Sequence, residues 1–182
     1  MSKVLVLLAQ GCEELEAVTI IDILRRANVD VVTAGLDPEP VKASRGVMLV
    51  PDTTLDEALK QDFSMVVLPG GLPGADNLGN DARVVKLLKD MAADGQWVAA
   101  VCAAPRVLAR AGLLDGKRAT AYPGFIDTGE FPGIEYTGGA VEKDGKVVTS
   151  RGPGTAMDFA LVLAELLTDT GTRNTVEERL VR

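Results

Sequence analysis

Residues 97–114, WVAAVCAAPRVLARAGLL, run from a short apolar strand into a helix. Val98 to Val101 form a continuous apolar run of strand length, as in strands covered on both faces of a parallel sheet. Ala103-Ala104-Pro105 then opens a helix expected to reach about Ala111, with proline where a first-turn residue needs no amide hydrogen. One cysteine, Cys102, stands at the junction. Strand–turn–helix units of this kind decide the fold, because parallel strands need a covering crossover.

The same unit recurs along the chain. KVLVLLA (residues 3–9) is a buried strand, followed by a helix over about Glu13–Ala27 whose stripe is Ala17, Ile20, Ile21, Leu24 and Ala27. VDVVTAG (29–35) is a second strand. VKASRGVMLVPD (41–52) alternates around Arg45-Gly46 and reads as a hairpin. TLDEALK (54–60) starts with a Thr-x-x-Glu cap and reads as a short helix. SMVVLPGG (64–71) is a third buried strand, and DARVVKLLKDMAADG (81–95) is an amphipathic helix with an aspartate start and a glycine stop. VEKDGKVVTS (141–150) is a hairpin turning at Asp144-Gly145, GTAMDFALVLAELLTD (154–169) is a long helix, and the tail adds a short one. Pro123 to Gly139 is rich in loop formers. The expected fold is α/β: a mostly parallel sheet with helices on both faces, in one domain spanning residues 1–182.

Composition narrows the function. The 182 residues carry a net charge of −7, with 47 % hydrophobic and 25 % charged residues. No lysine or arginine run exceeds two residues, so the basic footprint of a nucleic-acid binder is absent. No apolar stretch approaches the roughly 18 residues of a membrane span. The N-terminus lacks the pattern of a signal peptide. Two cysteines, Cys12 and Cys102, make no disulfide framework, so a reducing cytoplasm is expected. There is no histidine at all, which excludes Ser-His-Asp and Cys-His catalysis and histidine metal sites.

Cys102 has two readings. A buried free cysteine is commonly an inert core residue. At a strand–helix turn with small neighbours, however, the free amides and the helix dipole would lower its pKa, and the Ala103 amide could stabilise an oxyanion. Sites in open α/β sheets lie beyond the carboxyl ends of the strands, where Gly70-Gly71, Gly11–Glu16 and SRGPGTA (150–156) should meet. The Gly71 amide is a candidate second oxyanion donor, against a plain turn. The SRGPGTA segment is either an anion site or a tight connection. Glu13 and Glu14 suit a helix start. Glu16 instead falls at the edge of the buried stripe, where desolvation favours a protonated carboxyl able to donate to a thiolate or move protons; a solvated edge acid is the alternative.

LLAQGCEELEAV (7–18), VVLPGG (66–71), AAVCAAP (99–105) and TSRGPGTAMDFAL (149–161) occur together, in order. With these motifs the chain resembles the DJ-1/ThiJ/PfpI superfamily over nearly its whole length, and within it the YajL-type bacterial relatives. The resemblance implies a flavodoxin-like three-layer sandwich related to class I glutamine amidotransferase domains, and a homodimer. It implies that Cys102 is the reactive, oxidisable cysteine and Glu16 the glutamate bonded to it. Gly71 and Ala103 match the oxyanion donors, with Gly70 beside them. Arg26 and Arg45 match arginines near the pocket and dimer interface. Several relatives place a histidine where this chain has Tyr122, which argues against peptidase and amidotransferase activity; Tyr122 either hydrogen-bonds in the pocket or packs. Cys12 either resolves an oxidised Cys102, if the two lie within about 7 Å, or fills the core. The implied activity is a glyoxalase or deglycase acting without cofactor or metal on small aldehydes or glycated side chains. The alternatives are a peroxide-sensing stress chaperone and an inert fold.

Overall fold

The computed structural model describes residues 2–182. In chain order its elements are β1 (Lys3–Leu8), α1 (Glu14–Arg26), β2 (Asp30–Gly35), β3 (Val41–Lys42), β4 (Met48–Leu49), β5 (Thr53–Thr54), α2 (Leu55–Ala58), β6 (Met65–Leu68), α3 (Gly74–Asn80), α4 (Ala82–Ala93), β7 (Trp97–Val101), α5 (Pro105–Arg110), β8 (Arg118–Ala119), β9 (Glu135–Tyr136), β10 (Val141–Asp144), β11 (Val147–Ser150), α6 (Ala156–Leu167) and α7 (Thr170–Arg179).

Seven strands form one sheet in the order β10-β11-β7-β6-β1-β2-β5. All neighbours are parallel except the β10–β11 hairpin at one edge. The apolar runs explain this. Each inner strand is covered on both faces, so its side chains split between two cores. On β1, Val4, Val6 and Leu8 join α1, α6 and α7, while Leu5 and Leu7 join the layer of α2 to α5. On β7, Ala99 and Val101 face the first layer and Val98 and Ala100 the second. The result is the expected three-layer α/β sandwich.

Local chemistry sets the element ends. The Glu13 side chain accepts from the Leu15 amide at the start of α1, Thr54 caps α2 through the Glu57 amide, and Asp81 caps α4 through the Arg83 amide. One expectation needs correction. The helix after Cys102 begins at Pro105, because residues 102–104 are taken up by a tight turn. Gly74–Asn80, to which the sequence pattern assigns no element, is helical: Ala75 and Leu78 are buried, and the Ala75 amide donates to the Gly71 carbonyl. Packing overrides the weak propensity of GADNLGN.

Candidate functional site

The carboxyl ends of β1, β6, β7 and β11 converge on Cys102. Its φ is +63°, a left-handed conformation that costs an L residue with a side chain about 1–2 kcal/mol. Three backbone bonds hold it. The Cys102 amide donates to the Ser150 carbonyl at 3.0 Å, the Tyr122 amide donates to the Cys102 carbonyl at 2.9 Å, and the Ala104 amide closes the turn onto the Val101 carbonyl at 3.0 Å. The strain projects the thiol beyond the sheet end, yet Cys102 is only 8 % exposed.

Glu16 lies in the first turn of α1 and is fully buried. Its Oε2 accepts the Gly70 amide at 2.8 Å, and the Cys102 thiol is near enough to favour its charged form. Among the described residues, Oε1 is buried and has no hydrogen-bond partner. A buried carboxyl oxygen without a partner favours the protonated acid over the carboxylate. Burial, opposed by the Gly70 amide and the thiol, raises the Glu16 carboxyl from 4.5 to about 7.

Burial, a charged Glu16 and its hydrogen bond raise the Cys102 thiol to about 12, while the Gly71 and Ala103 amides pull it down. The sequence expectation of a lowered thiol pKa is therefore corrected for the state with Glu16 ionised. Helix α5 starts three residues past Cys102, so its dipole is not the source of thiolate stabilisation. The two opposing groups form one coupled pair holding a single proton near neutrality. When Glu16 carries that proton, its charge no longer opposes the thiolate, and Glu16 and the two amides all donate toward sulfur.

Gly70 is required by close approach. A Cβ there would sit 2.6 Å from the Cys102 Cβ and 2.8 Å from Glu16 Oε2. Its amide is committed to Glu16, which corrects its expected place among the oxyanion donors: Gly70 positions the acid. Gly71, with φ +86°, and Ala103 are the amides facing sulfur. Both expected donors thus meet at the thiol.

Tyr122 stands at the rim. It is 48 % exposed and, with Arg151 and the Gly152–Thr155 turn, lines an open cleft of about 310 Å³. A larger cleft of about 360 Å³ lies elsewhere, along Leu8–Gln10, Asp37 and Asn77. Neither Cys102 nor Glu16 lines either cleft, so the chemistry does not follow cavity size. Arg45 is exposed on the β3–β4 turn, its amide donating to Glu14 Oε1 at 2.8 Å. Arg26 is not at the site. It pairs with Asp22 at 2.6 Å, ten residues along α1 from Glu16, or about 15 Å. Cys12 is buried, and burial with Glu14 and Glu13 raises its thiol to about 11. Ser150, the first residue of the SRGPGTA segment, contributes through its carbonyl; Arg106, placed below, carries no functional signal in the sequence.

The family model described as the DJ-1/PfpI family matches residues 2–166. Protein dj-1beta of Drosophila melanogaster is 46 % identical over 171 residues, covering 92 % of this chain and 90 % of the relative. The glutathione-independent glyoxalase DJR-1.2 of Caenorhabditis elegans is 34 % identical over 166 residues, covering 91 % and 88 %. The crystal structure of Drosophila melanogaster DJ-1beta superposes with a TM-score of 0.94 at 42 % identity, covering all of this chain and 98 % of the other.

Proposed function

The chain belongs to the DJ-1/PfpI family, and from that premise we propose that it is a cysteine-dependent glyoxalase or deglycase working in the cytoplasm on methylglyoxal, glyoxal or early glycation adducts. One observation carries the reading: a strained Cys102 stands beside a fully buried Glu16 and two converging amides. A relative named as a glutathione-independent glyoxalase supports it.

The chemistry follows from that constellation. The Cys102 thiolate adds to the aldehyde carbon of methylglyoxal, forming a carbon–sulfur bond. The carbonyl electron pair moves to oxygen, where the Gly71 and Ala103 amides stabilise it. Glu16 protonates this oxyanion, leaving a hemithioacetal. As a carboxylate it then removes the proton from the former aldehyde carbon and returns it to the neighbouring carbon, while the hemithioacetal hydroxyl proton passes to the ketone oxygen. The ketone becomes an alcohol and the hemithioacetal a thioester, an internal oxidation and reduction that needs no external oxidant. Water cleaves the thioester, releasing lactate and the thiol. Early glycation adducts, as hemiaminals, would enter through the aldehyde they release.

The test is lactate formation from methylglyoxal by the wild type, Cys102→Ser and Glu16→Gln. Turnover should vanish in Cys102→Ser and fall at least about a hundredfold in Glu16→Gln. Wild-type turnover no higher than that of Cys102→Ser would overturn the reading. In that case the same donors favour a peroxide sensor, because Glu16 and the two amides can equally stabilise a Cys102 sulfinate. Stoichiometric conversion to sulfinate under peroxide, with Cys12 unmodified, would support it; oxidation of both cysteines in parallel would not.

A homodimer is also proposed. Leu15, Val18, Val47, Met48, Val50 and Met157 are exposed apolar residues on the start of α1, the β3–β4 hairpin and the start of α6, elements already adjacent through Glu14 and through the cleft shared by Leu15 and Met157. A second copy is the natural cover for such a face.

A further inference from the structure

Arg106 lies just outside the four family motifs, yet one guanidinium joins the three segments that leave the site. Its Nη2 pairs with Asp76 on α3 at 2.5 Å. Its Cζ lies 5.1 Å from the centroid of the Phe125 ring. The residue itself stands in the first turn of α5. Each of these anchors, or its chain neighbour, is one backbone hydrogen bond from a site residue. The Ala75 amide, beside Asp76, donates to the Gly71 carbonyl at 2.9 Å; the Arg106 amide donates to the Ala103 carbonyl at 3.3 Å; the Phe125 amide donates to the Tyr122 carbonyl at 3.0 Å. The Phe125 ring also meets the Tyr122 ring edge to face, with centroids 6.0 Å apart.

We propose that Arg106 is a positioning residue that holds the Gly71 amide, the Ala103 amide and the Tyr122 wall in register around Cys102. The planar guanidinium suits this task, since it can bind a carboxylate along its edge while stacking its face on an aromatic ring. Its side chain is 26 % exposed, so the pair is partly shielded from solvent. The strained turn at Cys102 needs this support. The Tyr122 amide is one of the bonds holding that turn, and its loop is fastened from the far side by Arg106 through Phe125. Loosening the clamp would let the two amides drift from sulfur, which weakens both thiolate and oxyanion stabilisation; angstrom-scale misplacement is enough to cost catalysis dearly.

The inference deepens the glyoxalase reading, and its test is chosen to stand apart from it. Cys102 alkylation by iodoacetamide is followed against pH in the full-length wild type, Arg106→Lys, Arg106→Met and Phe125→Leu, alongside Tm and, where turnover exists, kcat and KM. In Arg106→Met the alkylation rate at pH 7 should fall about tenfold, equivalent to a rise of about one pH unit in the thiol transition. Phe125→Leu should shift in the same direction, and Arg106→Lys, which keeps the charge, should lie between Arg106→Met and wild type. Turnover should lose kcat with KM nearly constant. A purely structural salt bridge would lower Tm and leave the alkylation profile in place, and that result overturns the proposal. If Arg106→Met does not fold, Arg106→Lys and Phe125→Leu decide by the same profile. Absence of wild-type turnover would refute the aldehyde reading alone.

Discussion

Cys102 and Glu16 lie too close to be treated as separate acids. Burial and a charged Glu16 together push the Cys102 thiol up to about 12. The pair behaves differently, because losing its first proton creates one shared negative charge, distributed between thiol with carboxylate and thiolate with carboxylic acid. Cys102 alkylation should therefore rise with a midpoint near pH 7, where Glu16 titrates, and level off above it. Glu16→Gln should remove that step and leave the single transition of an isolated thiol. A wild-type midpoint at or above the free-cysteine value of about 8.5 would show that no proton is shared. The same acid has a cost in stability. Glu16 holds its proton up to about pH 7 in the folded chain and only to about 4.3 in an unfolded one. Between these values the native state binds the extra proton, so stability falls as pH rises and the loss is complete above about pH 7. By pH 8 it amounts to about 4 kcal/mol. Glu16→Gln should thus raise Tm at pH 8, leave it nearly unchanged at pH 4, and sacrifice activity, a trade seen where function requires a strained group. Paired thermal melts at the two pH values check the sign.

The elements that build the site matter through how closely their ends approach. Strand β6 stops at Leu68 so that Gly70 can pass between Cys102 and Glu16. Gly70→Ala should therefore be severe. Its methyl would overlap the Cys102 Cβ and push Glu16 Oε2 from the amide that holds it. Methylglyoxal turnover should fall more than about a hundredfold if loss of the Glu16 proton path is the main effect, with Cys102 alkylation disturbed in parallel; wild-type kinetics in Gly70→Ala would show that the approach is not needed. That requirement could not be read from VVLPGG alone, because the group Gly70 must avoid lies 54 residues away in sequence. Legibility followed this division. Runs such as KVLVLLA and MVVL declare buried parallel strands, whereas helical spacing puts Glu16 only at the edge of the buried stripe, and its full burial comes from the fold. Helix α3 has no such pattern, since packing on Gly71 rather than propensity folds it. The two-residue strand β9, paired with β8, is too short to show a period within the loop-rich stretch from 123 to 139. Arg26 came from resemblance, and only the helix length shows it to be remote. Arg106 was invisible because its partners, Asp76 and Phe125, come together only through tertiary structure.

At the scale of the molecule, the site and an uncovered apolar face share one wall. The Glu14 carboxylate accepts from the Arg45 and Val47 amides at 2.8 and 3.5 Å and from the Ser44 hydroxyl at 3.1 Å. It thereby fastens the β3–β4 hairpin onto the turn of α1 that carries Glu16. The outer side of that hairpin presents Met48 and Val50, which are 57 % and 79 % exposed. Apolar side chains on a chain of charge −7 gain most by meeting a like surface, since hydrophobic burial is insensitive to the charge that keeps the rest apart. The wild type should therefore have a light-scattering mass twice the 19.1 kDa of one chain. Met48→Glu with Val50→Glu would place two like charges at each half of a self-complementary contact, so the mass should drop to one chain while Tm falls only as far as lost dimerisation requires. Because the hairpin leads back to Glu14 and the start of α1, dissociation should also slow methylglyoxal turnover, by a factor that disappears when the two proteins are compared at concentrations low enough for the wild type to be monomeric. A wild-type mass of 19.1 kDa at micromolar concentration would overturn the dimer. A dimeric wild type whose turnover is the same above and below dissociation would separate assembly from catalysis and leave the hairpin an interface alone.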